Sequence, residues 1–148
     1  MQITRQSEYA IRALIELAST PEGTILQSRA IAKKHDLPEK FLNKTIQLLS
    51  HAGFIETKRG MHGGIKLAVS PDSITIADVI TAIEGKISIN PCLGDSSYCN
   101  RQEVCRVHHI LQRAQRAMLA ELNKETIADL ADPGDPEAVV CHASMADR

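Results

Sequence analysis

Three cysteines and one histidine lie close together in the second half of this 148-residue chain. The cysteines are separated by six and then five residues, and the histidine follows the last cysteine by three positions. Thiolate and imidazole groups are the donors that proteins use for zinc and for iron–sulfur clusters. The stretch is therefore a candidate metal centre, formed by Cys92, Cys99, Cys105 and His108.

The spacing of these donors separates several kinds of site. Structural zinc sites usually contain two close pairs such as C-x2-C, so zinc is possible but not favoured here. A redox thiol pair would not explain His108, and inert buried cysteines rarely gather in polar sequence. Three thiolates and one imidazole give four ligands, which is enough for a 2Fe–2S cluster with mixed ligation.

Apolar residues at helical spacing dominate the chain before this stretch. They predict a first helix that ends at Ala18 and a short second helix over residues 29–35, capped by Ser28. Pro38 suits the first turn of a third helix, predicted over residues 39–51. The apolar face of this third helix is expected to contain Phe41, Leu42, Ile46, Leu48 and Leu49.

The period of the pattern then changes to two, which predicts a β-hairpin with strands over 54–59 and 65–69. Its turn is rich in glycine. A short helix over 75–84, a loop over 91–103, a long helix over 105–122 and a last turn over 126–130 complete the order. The fold class is therefore mainly α with a small β-hairpin, arranged as a winged helix-turn-helix followed by a long helix.

Polar side chains on the third helix and on the hairpin suit contact with double-stranded DNA. A helix of about three turns fits the major groove, where amides reach base edges and lysines reach phosphates or guanine. A basic hairpin with a glycine-rich tip can approach the backbone or the minor groove closely. The candidate DNA contacts are Ser28, Lys40, Asn43, Lys44, Gln47, Lys58, Arg59, His62 and Gly63.

Charge is distributed unevenly along the chain, although the net charge is only −1. Residues 1–70 contain ten Lys or Arg against six Asp or Glu, whereas residues 71–148 contain seven against twelve. The basic first half favours DNA as its partner. Some winged helices bind proteins instead, so periodicity alone leaves a protein partner open.

Four motifs resemble the Rrf-type winged-helix transcription regulators, the family of IscR, NsrR, RirA and CymR. The first helix reads S-E-Y-A-I-R-A-L-I-E-L-A from Ser7, and the next motif joins Ile31-Ala32 to Phe41-Leu42. They are followed by L-S-H-A-G-F-I from Leu49 and by R-G-M-H-G-G from Arg59 in the hairpin. The resemblance extends from residue 1 to about residue 131 and is strongest to the IscR-like iron–sulfur members.

This resemblance implies a homodimer that binds a pseudo-palindromic operator. It also implies a 2Fe–2S cluster, held by the three cysteines and His108, through which a repressor senses iron–sulfur status, oxidant or nitric oxide. The expected organisation is a DNA-binding domain over 1–84, a cluster-binding loop over 85–104, a dimerisation helix over 105–131 and a disordered tail over 132–148.

Three features depart from the family pattern. The gap between Cys92 and Cys99 is one residue longer than in IscR-like members. Some relatives take a carboxylate ligand from the partner's first helix, and Glu8 stands where such an alternative fourth ligand could lie. The hairpin also has Ile65 where an aromatic residue often follows the second glycine.

Other classes of function lack support in the sequence. No nucleophile–base constellation or phosphate-binding loop is present, so we do not expect an enzyme. No apolar run approaches the length of a membrane span, and we expect a cytoplasmic protein. The alternative to the cluster sensor is a cluster-free regulator or protein-binding module of the same fold, dependent on thiols or zinc.

Overall fold

The computed structural model describes residues 3–95 and 97–131, and the predicted tail over 132–148 lies outside them. The predicted fold class is confirmed, because the described residues are mainly helical with one two-stranded antiparallel hairpin. In chain order the elements are α1 (Arg5–Ala18), α2 (Ser28–Lys34), α3 (Glu39–His51), β1 (Ile55–Lys58), β2 (Gly64–Leu67), a 3-10 turn (Pro71–Ser73), α4 (Ile76–Glu84), α5 (Pro91–Gly94), α6 (Arg106–Leu122) and α7 (Ile127–Ala131).

Helix α1 lies at the centre of an aliphatic core. Its inner stripe consists of Ala10, Ala13, Leu14 and Leu17, each at most 3% exposed. The small alanines allow α3, α4 and α7 to pack closely around this helix. Each fully buried leucine contributes about 1.5–3 kcal/mol to folding, so this stripe is a major source of stability.

The first turn of α1 is fastened to the end of α4. The Oε1 atom of Glu84 accepts hydrogen bonds from the amide of Thr4 at 2.8 Å, from the Thr4 hydroxyl at 3.1 Å and from the buried Ser7 hydroxyl. Partial burial makes the largest single contribution and raises the pKa of Glu84. The hydrogen bonds from Ser7 and Thr4 outweigh it, so the pKa lies below its ordinary value.

Helices α2 and α3 form the helix-turn-helix, and the observed bounds of α3 match the prediction. Two predictions about these helices are wrong. Ser28 does not cap α2 but is its first residue, because Gln27 takes the extended N-cap position. Phe41 does not belong to the inner face of α3 but is 60% exposed, whereas Thr45 is fully buried and donates to the Phe41 carbonyl at 2.9 Å.

The hairpin is extended by a short segment before α2. Ile55 pairs with Leu67 and Lys58 with Gly64 in an antiparallel register. The amide of Leu26 also donates to the carbonyl of Ile65 at 2.9 Å, and the amide of Ile65 donates back at 2.8 Å. This pairing ties the wing to the start of α2, a long-range contact that the sequence pattern did not predict.

After the hairpin, the described residues form a short helix inside the predicted loop and a helix, α7, at the predicted last turn. Asn90 and Pro91 start the short α5 inside the predicted loop, because the Asn90 side chain accepts from the Cys92 amide and proline suits the first helical turn. Helix α7 returns to the first helices. Ile127 is fully buried there, and its amide donates to the Ile74 carbonyl at 2.8 Å.

Helix α6 buries none of its residues within a single chain. Its C-terminal half packs Met118, Leu119 and Leu122 against the inner face of α4. Val107 and Ile110 in its N-terminal half are 61% and 54% exposed. None of the helices in residues 3–95 and 97–131 is long and apolar enough to cross a membrane.

Replacing Glu84 with Gln tests the link between α1 and α4. Since the folded-state pKa of Glu84 is lowered, its stabilisation is present above the unfolded value of 4.5 and is lost as the pH falls through the folded value. We expect Glu84→Gln to lower the free energy of unfolding at pH 7 by no more than about 1 kcal/mol, because Glu84 is exposed and solvent screens its charge. Urea unfolding at pH 7 and pH 3 checks this, and a difference that does not shrink at pH 3 contradicts the assignment.

Candidate functional site

The outward face of α3 presents the polar side chains that the sequence predicted. Lys40, Asn43, Lys44 and Gln47 are all exposed on this 13-residue helix. The opposite face is held in the core by Leu42, Ile46 and Leu49. Since α3 is about 20 Å long, it has the dimensions of a helix that lies in a DNA major groove.

A groove of about 390 Å³ runs between α2, α3 and the hairpin. Four predicted contact residues line it together: Ser28, Asn43, Lys58 and Gly63. Lys40, Lys44 and Gln47 lie elsewhere on α3, and Arg59 and His62 are exposed near the hairpin turn. Gln27, Arg29 and Thr57 also line the groove. Sequence reasoning missed these three, although Arg29 is a basic residue directly after Ser28.

The two glycines at the end of the turn are required by close backbone contacts. A Cβ atom on Gly63 would lie 2.2 Å from the Lys58 carbonyl oxygen, and one on Gly64 would lie 2.3 Å from the Leu26 carbonyl oxygen. Gly63 therefore closes the turn of the wing. Gly64 allows the Leu26 segment to approach the hairpin closely enough to form the groove.

At the start of α2, two backbone amides are already engaged in hydrogen bonds. The amides of Ala30 and Ile31 already donate to the Gln27 carbonyl, at 2.9 and 3.3 Å. Because Ser28 is not the helix cap, its hydroxyl is not engaged in capping. The Ser28 side chain lines the groove and is not used as a helix cap.

Two of the four predicted metal ligands share one pocket. Cys92 on α5 and His108 on α6 both line a pocket of about 320 Å³. Lys86 lies in the same wall, and its ammonium donates to the Gly94 carbonyl at 3.2 Å, across the end of α5. Gln102, Gln112 and Gln115 supply further polar lining. Cys99 and Cys105 do not line this pocket.

The start of α6 orients Cys105 and His108. Cys105 is the N-cap, and its sulfur accepts from the His108 amide at 3.4 Å. The Nδ1 atom of His108 is buried and has no hydrogen-bond partner in the described structure. The neighbouring His109 is exposed, and its Nε2 lies 3.0 Å from the Glu103 carbonyl oxygen. His108 is therefore the histidine with a free, buried ligating atom.

The donor set suits a 2Fe–2S cluster in type but is not assembled. Cys92, Cys99 and Cys105 are free thiols of intermediate exposure. Among residues 3–95 and 97–131, no three His, Cys, Asp or Glu side chains are close enough together to hold a metal ion. Glu8, the predicted alternative ligand, is exposed on α1 and pairs with Arg12. Binding a cluster would therefore require the loop before α6 to move towards the pocket.

Comparison with known proteins identifies relatives over nearly the whole chain. Residues 3–133 match the model of the Rrf2 family, described as an iron-dependent transcriptional regulator. The global cysteine regulator CymR of B. subtilis is 29% identical, with a TM-score of 0.72 over 91% of this chain and 99% of CymR. The oxidized form of Staphylococcus aureus CymR is 25% identical, with a TM-score of 0.70 over 91% and 99%. IscR of T. potens is 22% identical, with a TM-score of 0.69 over 98% and 96%, and supports the fold.

Substitution of Gly64 tests how the groove is built. We expect Gly64→Ala to lower the free energy of unfolding by about 1–3 kcal/mol, because the new methyl group displaces the Leu26 carbonyl. It should also expose the amides of Leu26 and Ile65 to hydrogen exchange. Gly53→Ala is the control, because Gly53 has a φ of +80° but no atom within 4 Å of its Cβ position. If both variants leave these two amides equally protected, the close approach does not hold the groove together.

Proposed function

Since this chain belongs to the Rrf2 family of transcription regulators, we propose that it is a homodimeric repressor that binds a pseudo-palindromic operator and senses through a 2Fe–2S cluster. Members of this family bind DNA and are not enzymes. The observation that carries the DNA-binding part is the groove where Ser28, Asn43 and Lys58 meet. A protein of this function works in the compartment that contains the DNA, the cytoplasm.

The proposed DNA interface divides its work between two elements. Helix α3 enters the major groove, where Asn43 and Gln47 offer amide donors and acceptors to base edges. Lys40 and Lys44 on α3 are available for phosphates or guanine. The hairpin brings Lys58, Arg59 and His62 to the backbone or the adjacent minor groove, and Gly63 keeps its turn tight.

The proposed dimer uses the N-terminal half of α6. Val107 and Ile110 on α6 are 61% and 54% exposed, and Val104 just before the helix is 80% exposed. A helix with such an uncovered apolar stripe needs a partner. A second copy related by a two-fold axis would cover it. The same axis would place two α3 helices about one DNA turn apart, so that the operator is a pseudo-palindrome.

The proposed cluster ligands are Cys92, Cys99, Cys105 and His108. The alternative fourth ligand is Glu8 of the partner subunit. Support comes from the buried, unpartnered Nδ1 of His108 beside Cys92 in one pocket. When bound, a 2Fe–2S cluster supplies a redox-active group whose occupancy depends on iron, oxidant and nitric oxide. His108 would hold its ring towards the pocket, and the free thiols would provide the remaining ligands.

The loop that carries these ligands is linked to both other proposed regions. Gln115 on α6 accepts from the Ile89 amide at 3.0 Å, ahead of α5. Helix α4 precedes this loop and packs against α1 and α3. Gathering the loop around a cluster would therefore shift α6 relative to α3. We expect the resulting change in DNA affinity to be about 5–150-fold, the usual range of allosteric coupling.

A cluster-free regulator that responds through its thiols is the second candidate. It is favoured by the separation of the donors and by the similarity to CymR, a cysteine regulator. In this case Cys92, Cys99 and Cys105 would react or bind zinc without iron and sulfide. Both candidates share the DNA-binding surface, so iron and sulfide content distinguishes them.

The first test compares two adjacent histidines. We expect anaerobically isolated protein to contain iron and sulfide and to show charge-transfer absorption in the visible range. His108→Ala should lose most of this absorption because it removes a ligand, whereas His109→Ala should keep it. If the unsubstituted anaerobic protein contains no iron and sulfide, the cluster proposal is wrong and the cluster-free, thiol-dependent regulator remains. Equal absorption in both variants excludes His108 as the ligand.

The second test separates base contacts from phosphate contacts. We expect Lys58→Ala to weaken binding to all duplexes and to reduce the slope of log K against log salt by about 1 per subunit. Asn43→Ala should cost about 1–3 kcal/mol on the preferred sequence and much less on random duplex. Lys124→Ala is the control, because Lys124 lies beyond the end of α6 and pairs with Glu121 in the last turn of that helix. The proposed surface is wrong if Lys124→Ala weakens binding as much as Lys58→Ala.

A further inference from the structure

Phe41 is a large apolar side chain that the fold leaves uncovered. It is the third residue of α3 and is 60% exposed, although its neighbour Leu42 is fully buried. Consecutive helical residues point about 100° apart, so burial of Leu42, Thr45 and Leu49 turns Phe41 to the flank of the helix. The uncovered ring therefore follows from the way α3 is seated in the core.

The backbone that carries this ring is firmly held. The hydroxyl of the fully buried Thr45 donates to the Phe41 carbonyl at 2.9 Å. The amide of Phe41 donates to the Pro38 carbonyl at 3.0 Å, at the start of the helix. Phe41 is thus presented from a fixed position in the first turn of α3, the end of a recognition helix that contacts base edges.

Two lysines lie near the ring along α3, which also carries Glu39 in its first turn. Lys40 precedes it, and Lys44 lies one turn further along the helix. Neither lysine takes part in an ion pair among the residues that the structure describes. An uncovered ring on a helix turn that also carries these two lysines suits a partner that combines negative charge with isolated apolar groups.

Double-stranded DNA has this combination in its major groove. The C5-methyl group of thymine is the apolar feature of base edges there, and phenylalanine is among the side chains that contact it. We propose that Phe41 packs on the methyl group of one thymine in each half-site and so determines sequence specificity. The proposal rests on the proposed function, in which α3 lies in the major groove. An apolar protein surface would cover the ring but leave the two lysines unmatched.

The test removes only the methyl group from the DNA. Duplexes enriched by the unsubstituted protein from a random-sequence library serve as probes, and each thymine is replaced in turn by deoxyuridine. At one position per half-site we expect about fourfold weaker binding, the effect of burying one methyl group. Replacing both symmetric thymines should weaken binding about fifteenfold, because the two half-sites contribute independently.

The protein variants assign this effect to the ring. Phe41→Ala should bind the thymine duplex about fifteenfold more weakly, because both subunits lose the ring. It should not distinguish thymine from deoxyuridine. Phe41→Leu should retain part of the discrimination. Val69→Ala is the matched control, because Val69 is an exposed apolar residue beyond the end of β2, and it should retain all of it.

Each result separates this inference from the function on which it rests. If no sequence is enriched from the library, the DNA-binding proposal fails and this one fails with it. If a sequence is enriched but deoxyuridine has no effect at any position, only the role of Phe41 is overturned. The role of Phe41 is also overturned if Phe41→Ala and the unsubstituted protein are equally weakened by deoxyuridine. A variant that loses dimerisation but keeps its DNA affinity overturns it as well. The comparison of duplexes with unsubstituted protein needs no variant to fold.

Discussion

Burial of the aliphatic stripe of α1 is the interaction on which both proposed functional regions depend. Leu14 and its neighbours hold α3 on one side and α4 and α7 on others. Helix α3 carries side chains that we propose to face DNA, whereas α4 leads directly into the loop that contains the cysteines. The end of α4 is also fastened to the start of α1 through Glu84. Because α1 contacts both α4 and α3 along the same stripe, a displacement of α4 is expected to move α1 and, through it, α3.

The cysteine loop has a different physical character from this core. Apart from the buried Ile87, it is held by a few polar contacts, including those of Lys86 with Gly94, Gln115 with Ile89 and Asn90 with Cys92. Segments with little buried apolar surface open at a small fraction of the global unfolding free energy. Such a loop can rearrange around an added group while the core stays folded. The cysteines could therefore come together at a small cost in free energy, because few contacts would be broken.

Local signals in the sequence predicted more of the fold than of the site. The bounds of α3 follow from Pro38, whose ring fixes φ before the first turn, and from Gly53, which adopts a φ of +80° just after the last turn. Its buried face was harder to predict, because Phe41 and Thr45 both fit helical spacing and only packing against α1 selects Thr45. The groove could not be predicted, since it depends on pairing between Leu26 and Ile65, far apart in sequence. The proposed donors follow from residue type, but their distances depend on loop conformation, which spacing does not determine.

Helix α6 explains how one short segment could serve both sensing and assembly in the proposed regulator. Val107 and His108 are adjacent, so their side chains leave the helix about 100° apart. Val107 is exposed on the apolar stripe, whereas the Nδ1 of His108 is buried towards the pocket shared with Cys92. Any force that His108 experiences from that pocket rotates or shifts the same helical turn that presents Val107 and Ile110. No long pathway would then be needed, because ligand binding on one side of a rigid helix would reposition the proposed dimer contact on the other.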